Sequence, residues 1–580
     1  MLNASSSALG RVVSVRGSQA RVGIVAGGSL TPSTLRATVG QFFGIRTAST
    51  IIVAMITEVS RENMGVSNDY IAVASVDLLG EIFGGSAGRF QRGVTSYPTI
   101  GDPVDILTNQ ELRTVYAPHG DRQINVGTLQ QDPSVVAYVD VEEMLNKHFA
   151  VLGSTGVGKS TGVSLLLNEI LISRPDLRIF LLDVHNEYGR CFGERAQVLN
   201  PRNLKLPFWL FNFEEIVDVL FGGRPGVPEE LEILADVLPL AKQLYTQYQN
   251  SDRFGLKKQD NKAIAFTVDT PVPYRIVDLI SLIDERMGKL ENRTSRIVYH
   301  KLISRIETVR NDPRYAFMFA NANVGGDTMA EVISLLFRLP ANGKPMTIMQ
   351  LAGFPVEVVD SVVSVVCRMA FDFGLWSDGA SPLLFVCEEA HRYASADRNM
   401  GFGPTRKAVS RIAKEGRKYG VFLGLITQRP AELDATIISQ CSTLFAMRLA
   451  NDRDQALLRS AVSDAAANLL SFVPSLGTRE VLAFGEGVAL PTRLRFKEMP
   501  AHQLPRGESS NTGTASAFTG HDIHFVSSVL ERWRGATSHH EAVEPVPERS
   551  APVRMPEAPM LQPSLGLDPD RFSLLKKPLR

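Results

Sequence analysis

Two short segments of the sequence contain residues whose types and spacing suit phosphate chemistry. The first, GSTGVGKST at 153–161, fits the pattern G-x-x-x-x-G-K-[ST]. In that pattern small residues let backbone N–H groups wrap phosphates, the lysine reaches the β- and γ-phosphates, and the hydroxyl binds Mg²⁺. An apolar stretch precedes the segment and a helical pattern follows it, which favours a phosphate-binding loop over a plain glycine turn. The predicted nucleotide-binding residues are Gly153, Ser154, Thr155, Gly156, Val157, Gly158, Lys159, Ser160 and Thr161, with Ser160 also a magnesium ligand.

The second segment, LLFVCEEAHRY at 383–393, ends an apolar run in the adjacent acids Glu388 and Glu389. Paired carboxylates repel each other and are costly to remove from water, so a cation should lie near them. In the same sheet as the phosphate loop, Glu388 would hold Mg²⁺ directly or through water, and Glu389 would orient and polarise the attacking water. The metal-holding acid beside a phosphate loop is usually Asp, and the longer Glu388 suggests a water-mediated contact or a shifted ion. The alternative is a pair of solvated acids at a strand end.

Two further strand ends carry polar residues. LITQRP at 425–430 places Gln428 where it could sense a γ-phosphate, although a capped strand end would have the same pattern. LLDVHNEYG at 181–189 ends a strand with Asp183, His185 and Glu187, and ordinary loop solvation explains this pattern equally well.

The elements that must position these residues alternate between strands and helices, which predicts an α/β core with a parallel sheet. Residues 207–310 show helical periodicity instead and predict a helical insertion. Residues 10–117 contain short alternating strands separated by Gly and Pro, which predict a small β-barrel. The predicted units are 1–125 (barrel), 126–206 and 331–500 (two parts of the core), 207–330 (insertion) and 501–580 (C-terminal extension).

The C-terminal extension contains one predicted helix, 522–534, followed by a proline-rich stretch that predicts a disordered linker. Its ending, RFSLLKKPLR, suggests a docking tail, with a solvated terminus as the alternative.

Composition indicates a globular protein and excludes several other classes. Lys+Arg and Asp+Glu both number 61, so the net charge points to neither an acidic nor a basic partner. The four cysteines show no metal-binding spacing, which predicts reduced thiols in a cytoplasmic protein. We expect no signal peptide and no membrane anchor, because no apolar run approaches the roughly 18 residues that a bilayer span requires.

The motifs occur in an order that resembles the HerA/FtsK superfamily, and specifically HerA-type hexameric ATPases. The similar blocks are KHFAVLGSTGVGKST, LLDVHNEYG, CEEAHRY, RIAKEGRKYGVFLGLITQRPAELDATIISQC and FGEGVALPTR, and the resemblance covers roughly residues 10–500. It implies a barrel of the kind found in HerA and the ATP synthase subunits, a RecA-like P-loop core carrying a helical bundle, and a hexameric ring that threads double-stranded DNA with ATP and Mg²⁺ as cofactors.

The resemblance also implies roles for single residues. Asp183, His185 and Glu187 join the active-site neighbourhood, and Arg417 in KEGRKYG becomes the candidate for a γ-phosphate-facing arginine that acts between subunits. Such an arginine accelerates transfer by roughly 10³–10⁵. Family members often carry Arg immediately before the His that precedes the loop, where this chain has Lys147. Lysine keeps the charge but loses the planar fork, which leaves the inter-subunit role of Lys147 open.

Basic residues spaced 4, 3 and 4 apart predict one positive helix face: Lys407, Arg411, Lys414 and Lys418. In a ring this face would line the lumen and hold DNA phosphates without reading sequence, whereas on a single chain it would be ordinary solvated surface. The loop before it, 395–405, is a candidate pore loop with Arg398 and Arg406 as contacts.

Residues 1–50 contain five arginines and no acid, which suits either an acidic partner or solubility alone. In the HerA family such barrels dock NurA-type nucleases or other effector proteins.

The leading hypothesis is therefore an ATP-driven, ring-forming double-stranded DNA translocase or helicase. It would work with a nuclease or other effector in DNA end processing or anti-phage defence. The alternative is an ATP-gated ring scaffold that assembles and activates an effector enzyme. A conjugation or secretion motor fits less well because no membrane segment is predicted, and a GTPase is disfavoured because no N-K-x-D motif follows the loop.

Overall fold

The computed structural model describes most of the chain up to residue 506, and every structural statement below concerns the described residues. These are 8–25, 37–61, 70–84, 88–118, 120, 122–253, 266–289, 293–319, 326–397, 401–462, 468–506, 527 and 530. The proline-rich tail, most of the predicted helix 522–534 and Arg398 therefore lie outside the described residues.

The N-terminal strands close into a six-stranded antiparallel barrel, which confirms the predicted small β-barrel. Its strands follow the order β2-β1-β7-β3-β4-β5, and β5 pairs back with β2, while β6 extends β5. Alternate side chains point inward and form a separate apolar core that includes Val22, Ile45 and Ile52. The strands are β1 Gly10–Arg16, β2 Gln19–Val25, β3 Phe42–Arg46, β4 Thr50–Ser60, β5 Tyr70–Phe83, β6 Arg89–Arg92 and β7 Pro103–Ile106.

The barrel region also contains a helix that the sequence analysis did not predict, α1 at Asn109–Val115. A capping box begins it, because the Thr108 hydroxyl accepts from the backbone of Glu111 and the Glu111 carboxylate accepts from the backbone of Thr108. Glu111 also forms an ion pair with Arg46. One of the five N-terminal arginines is therefore neutralised within the chain.

A second, eleven-stranded sheet forms the centre of the molecule. Its order is β12-β13-β11-β14-β15-β10-β16-β17-β18-β8-β9, in which the first seven strands are parallel and the last four antiparallel. The predicted parallel sheet is thus confirmed, and the predicted boundary at 125–126 falls inside β8. The strands are β8 Gln123–Leu129, β9 Val136–Asp140, β10 His148–Leu152, β11 Arg178–Asp183, β12 Ala196–Leu199, β13 Met346–Gln350, β14 Leu383–Cys387, β15 Val421–Thr427, β16 Cys441–Ala446, β17 Glu480–Gly485 and β18 Thr492–Phe496.

The twelve remaining helices of the described residues either flank this sheet or lie between β12 and β13. The second group is α4–α9, of which α4–α8 lie within the predicted insertion 207–330 and α9 extends beyond its predicted end. None of these helices has the length and hydropathy that a bilayer span would need. The helices are α2 Val141–Leu145, α3 Lys159–Ser173, α4 Phe213–Phe221, α5 Pro228–Arg253, α6 Ile276–Gly288, α7 Arg293–Asn311, α8 Ala316–Phe319, α9 Met329–Phe337, α10 Val359–Trp376, α11 Gly403–Glu415, α12 Ala435–Ile438 and α13 Asp452–Ala461.

A buried carboxylate ties α4 to the sheet-flanking helix α10. Glu215, in the capping box of α4, is fully buried and accepts hydrogen bonds from Ser364 Oγ at 2.8 Å and Arg368 Nη2 at 2.9 Å. Because a buried charge is costly unless it is paired and hydrogen-bonded, loss of either partner would destabilise this junction.

The direction of the parallel strands decides where the predicted site residues meet. The strands β11, β14, β15 and β10 are neighbours, so the residues that follow them lie along one edge of the sheet. We call this the carboxyl edge, and the opposite one the amino edge. In open parallel sheets ligands bind outside the carboxyl edge.

Candidate active site

The predicted phosphate loop leaves β10 at the carboxyl edge and enters α3. Gly156 has φ +79° and Gly158 has φ +92°, a region that glycine adopts without strain. A Cβ atom at Gly156 would meet nothing within 4 Å, so this part of the loop backbone faces open space. Two backbone hydrogen bonds fix the start of the loop to the neighbouring strand ends: Gly153 N donates to the Thr427 carbonyl at 3.2 Å, and Ser154 N donates to the Arg448 carbonyl at 3.0 Å.

Lys159, the first residue of α3, points into a buried position beside the paired glutamates. Its Nζ lies 3.6 Å from Glu389 Oε1, and the residue is only 8% exposed. Burial lowers the pKa of Lys159, and the negative charges of Glu389 and Glu388 partly oppose this effect. The structure therefore brings together the cation and the two acids.

Glu388 follows β14 and is almost completely buried. Its Oε2 accepts a hydrogen bond from Val184 N at 3.0 Å. Burial, together with the neighbouring charge of Asp183, raises the pKa of Glu388 to about 8. A divalent ion beside this carboxyl group would favour its ionised form.

Glu389 adopts a left-handed backbone conformation, with φ +48°, at the start of a 3-10 turn over 390–392. This conformation is uncommon for a residue other than glycine and is concentrated at functional sites. The carboxylate is buried, and Oε1 accepts a 2.6 Å hydrogen bond from Gln428 Nε2. Oε2 receives no hydrogen bond from any described residue. One oxygen of Glu389 is thus held, and the other remains available to a further donor.

Two contacts beside Glu389 were not anticipated from the sequence. Gln428 Oε1 accepts a hydrogen bond from Thr155 Oγ1 in the phosphate loop. His391 Nδ1 lies 3.0 Å from Thr427 Oγ1 and 3.3 Å from Glu389 Oε2. Burial lowers the pKa of His391, and its Nδ1 has Thr427 Oγ1, not the carboxylate, as its hydrogen-bond partner. His391 lies inside the CEEAHRY motif, so its polar character was a signal that could have identified it.

The segment after β11 packs against the same carboxylates. Asp183 is buried and accepts hydrogen bonds from the backbone N–H groups of Glu187 and Tyr188, both at 3.0 Å, which folds this loop back on itself. Burial raises the pKa of Asp183 to about 6. His185 is half exposed, with Nε2 3.7 Å from Glu389 Oε1. Asp183 therefore shapes the loop, and His185 borders the site.

The residues at the carboxyl edge fit a magnesium nucleotide. No group of three or more His, Cys, Asp or Glu side chains among the described residues could hold a metal alone. Mg²⁺ is usually bound by one or two carboxylates together with substrate phosphates, and Ser160 and Glu388 suit that arrangement. The buried Glu389 Oε2 has no hydrogen-bond partner among the described residues, and the buried Tyr188 hydroxyl has the Ser160 hydroxyl beside it. A bound phosphate and its water would satisfy Glu389 Oε2.

Two predicted site residues lie at the amino edge instead. Lys147 immediately precedes β10, and its Nζ is 3.1 Å from Glu486 Oε1. Arg417 is exposed in a 3-10 turn over 416–419, just before the seven-residue strand β15. Such a strand is roughly 20 Å long, so neither side chain reaches the phosphate loop of its own chain. Lys147 and Arg417 therefore lie away from the phosphate loop of their own chain, and any role in hydrolysis would be at the site of another subunit.

The predicted basic helix face is shorter than expected. Helix α11 ends at Glu415, so Lys418 lies in the following 3-10 turn and not on the helix. Gly416 allows this tighter turn, because its missing side chain lets the backbone approach the Val421 carbonyl closely. Lys414 and Lys418 are exposed, and neither forms an ion pair with a described residue.

The remaining predicted DNA contacts are engaged within the chain. Lys407 Nζ is 3.5 Å from Glu214 Oε2 on α4. Arg411 pairs with Asp372 at 3.2 Å, and its guanidinium also stacks over the Phe371 ring at 4.0 Å. Arg406 is partly buried and donates to the Asp397 carbonyl at 3.4 Å. These three side chains therefore have structural partners that would compete with DNA phosphates.

Comparison with known proteins identifies relatives over most of the chain. The family model described as "Helicase HerA, central domain" matches residues 124–370. The "DNA double-strand break repair helicase HerA" of Pyrococcus furiosus is 25% identical over 498 residues, covering 81% of this chain and 83% of that protein. The protein of the same name from Sulfolobus acidocaldarius is 25% identical over 412 residues, covering 69% and 73%.

Among solved structures, VirB4 of Thermoanaerobacter pseudethanolicus is similar with a TM-score of 0.44 and 15% identity, over 65% of this chain and 96% of that one.

Proposed function

We propose that this chain, which is similar to HerA helicases over most of its length, is a HerA-type, magnesium-dependent ATP hydrolase that moves along double-stranded DNA as a homohexameric ring. Its role is that of a translocase or helicase in DNA end processing or defence, in the cytoplasm. The single observation that carries this proposal is the convergence of Lys159, Glu388, Glu389 and Gln428 at the carboxyl edge, with Lys159 Nζ 3.6 Å from Glu389 Oε1.

Each side chain of this cluster has a separate task in the proposed mechanism. Lys159 would bind the β- and γ-phosphates, while Ser160 and Glu388 would hold Mg²⁺, whose chemistry when bound is the neutralisation of negative charge on the phosphates. Glu389 orients the attacking water through its uncommitted oxygen and polarises it, and Gln428 senses the γ-phosphate.

The ring would complete the site from a neighbouring subunit. Arg417 is exposed and lies at the amino edge, where it is remote from its own phosphate loop. In a ring that stacks the amino edge of one subunit against the carboxyl edge of the next, Arg417 would face the neighbour's γ-phosphate. An arginine supplied in this way stabilises the charge of the transition state.

DNA would contact exposed basic groups that have no acidic partner of their own. Lys414 and Lys418 meet this description among the described residues, and sixfold repetition would multiply their charge around a lumen. Such contacts bind phosphates without reading bases and weaken as salt rises. The exposed arginines Arg11 and Arg16 support the barrel as the docking surface for a NurA-like nuclease or other effector.

The test is ATP hydrolysis by the full chain with and without linear duplex DNA at low salt. We expect DNA to stimulate hydrolysis, and Lys159→Ala to abolish it. Lys344→Ala serves as the matched control, because Lys344 lies in the turn before β13 at the amino edge and should leave the rate unchanged. Sedimentation with a non-hydrolysable ATP analogue should show six copies. A wild-type chain that neither hydrolyses ATP nor binds duplex DNA would refute the proposal.

A further inference from the structure

We propose that the Thr155 side chain is a positioning residue for hydrolysis, acting through Gln428 on Glu389. This inference rests on the proposed function and adds a role that the phosphate-loop pattern does not require. In G-x-x-x-x-G-K-[ST] the side chain at the position of Thr155 is unspecified, because only its backbone belongs to the phosphate cradle. The Thr155 hydroxyl can therefore be removed without removing a group that the pattern assigns to phosphate binding.

The contact joins three elements that are distant in the sequence. Thr155 is exposed in the loop between β10 and α3, Gln428 follows β15, and Glu389 follows β14. Thr155 Oγ1 donates to Gln428 Oε1, and Gln428 Nε2 donates to Glu389 Oε1 at 2.6 Å. Both hydrogen bonds point in the same direction, towards the carboxylate.

The amide of Gln428 can adopt two orientations that differ by a half-turn and occupy nearly the same space. Only the orientation with NH₂ towards Glu389 is attractive, since the other would place two oxygens against each other. In this orientation the Thr155 hydroxyl donates to the amide oxygen from the far side and so holds the amide in place. Hydrogen bonds in such a series also polarise one another, which strengthens the hold on Glu389 Oε1.

Fixing Oε1 has a consequence for the second oxygen of Glu389. The hydrogen bond from Gln428 to Oε1 restrains the rotation of the Glu389 carboxylate. Oε2 is therefore oriented to accept a proton from a water molecule on one side. The other groups near this buried carboxylate lie farther away than Gln428: Lys159 Nζ is 3.6 Å and His185 Nε2 is 3.7 Å from Oε1, and His391 Nδ1 is 3.3 Å from Oε2. Loss of the Thr155 hydroxyl should therefore lower the rate of the chemical step while leaving nucleotide binding intact.

The experiment compares Thr155→Val, which removes the donor at nearly constant volume, with Thr155→Ser, which keeps it. From the usual contribution of one hydrogen bond we expect Thr155→Val to lower kcat roughly three- to tenfold with KM within about twofold of wild type. Thr155→Ser should remain within about twofold of the wild-type kcat. In a Gln428→Ala background the valine substitution should have no further effect, because the contact is already absent. Thr308→Val, which removes an exposed hydroxyl that donates to the Ser304 carbonyl on α7, is the matched control and should match wild type.

Each other outcome has a definite meaning. A Thr155→Val variant with the wild-type kcat overturns the positioning role. So does a variant that lowers kcat equally in the wild-type and Gln428→Ala backgrounds, and so does a variant that raises KM while kcat is unchanged. Binding of a non-hydrolysable analogue at wild-type affinity shows that the variant is folded. If wild type itself hydrolyses no ATP, the proposed function fails and this inference fails with it, whereas an active wild type with a normal valine variant refutes only the role of Thr155.

Discussion

Acid should destabilise this protein through one buried histidine, His148, at the start of β10. The residue is 2% exposed, and both ring nitrogens are used. Nε2 lies 2.9 Å from the Ala413 carbonyl of α11, and Nδ1 accepts from Leu423 N of β15 at 2.9 Å. These contacts assign the proton to Nε2, since a proton on Nδ1 would face another N–H group. The imidazole of His148 therefore joins β10 to both α11 and β15 only while it is neutral.

The magnitude follows from the difference between the two pKa values. Burial lowers the pKa of His148 from 6.5 to about 4. Between these values the unfolded chain binds more protons than the folded one, so stability is fully present above pH 6.5 and falls as the pH drops towards 4. From pH 7 to pH 5 the loss is about 2 kcal/mol, because one pKa unit corresponds to about 1.4 kcal/mol.

The assay is urea unfolding of the nucleotide-free chain at pH 7 and pH 5, for wild type and His148→Gln. Other titrating groups contribute equally to both proteins, so the difference between their pH dependences isolates His148. We expect wild type to lose about 2 kcal/mol more than the variant. His300→Gln, at an exposed position on α7, should follow wild type. Equal losses in wild type and His148→Gln would refute the reasoning, since the ring would then protonate as easily in the folded state as in the unfolded one.

Three further predictions concern the proposed motor. Glu389→Gln should leave ATP affinity unchanged and lower kcat at least about 100-fold in steady-state assays, because the general base is lost. If Glu388→Gln is inactive and Glu389→Gln hydrolyses ATP normally, then the roles of metal ligand and general base are reversed between the two residues. Lys414→Glu should lower the affinity for duplex DNA roughly tenfold in low-salt binding titrations and make that affinity less dependent on salt. Lys407→Glu should have a smaller effect, because Lys407 already faces Glu214. Equal effects of the two substitutions would contradict this ranking. Gly156→Ala should weaken ATP binding roughly fivefold in calorimetry, since an alanine at φ +79° costs about 1 kcal/mol; unchanged affinity would show that the loop relaxes without cost.

Local sequence pattern was sufficient for those parts of the site whose residues are close together along the chain. The spacing within 153–161 predicts the phosphate loop because one backbone turn, one lysine and one hydroxyl must meet within nine residues. The apolar runs before Glu388, Asp183 and Gln428 predict strands that end in polar groups, and the structure has strands ending at Cys387, Asp183 and Thr427. The alternation of strands and helices then predicts a parallel sheet, whose geometry brings such ends to one edge.

Contacts between distant segments could not be predicted in this way. Nothing in the sequence around Thr155 indicates that its hydroxyl meets Gln428, because the two residues are joined only by the pairing of β10 with β15. Lys147 adjoins a site strand in sequence, yet strand direction places it at the amino edge with Glu486. Periodicity alone extended the basic face to Lys418, whereas the backbone tightens after Glu415. Side-chain type and spacing record what a residue can do within a few positions, but which residues meet depends on strand order, strand direction and packing, which are properties of the whole folded chain.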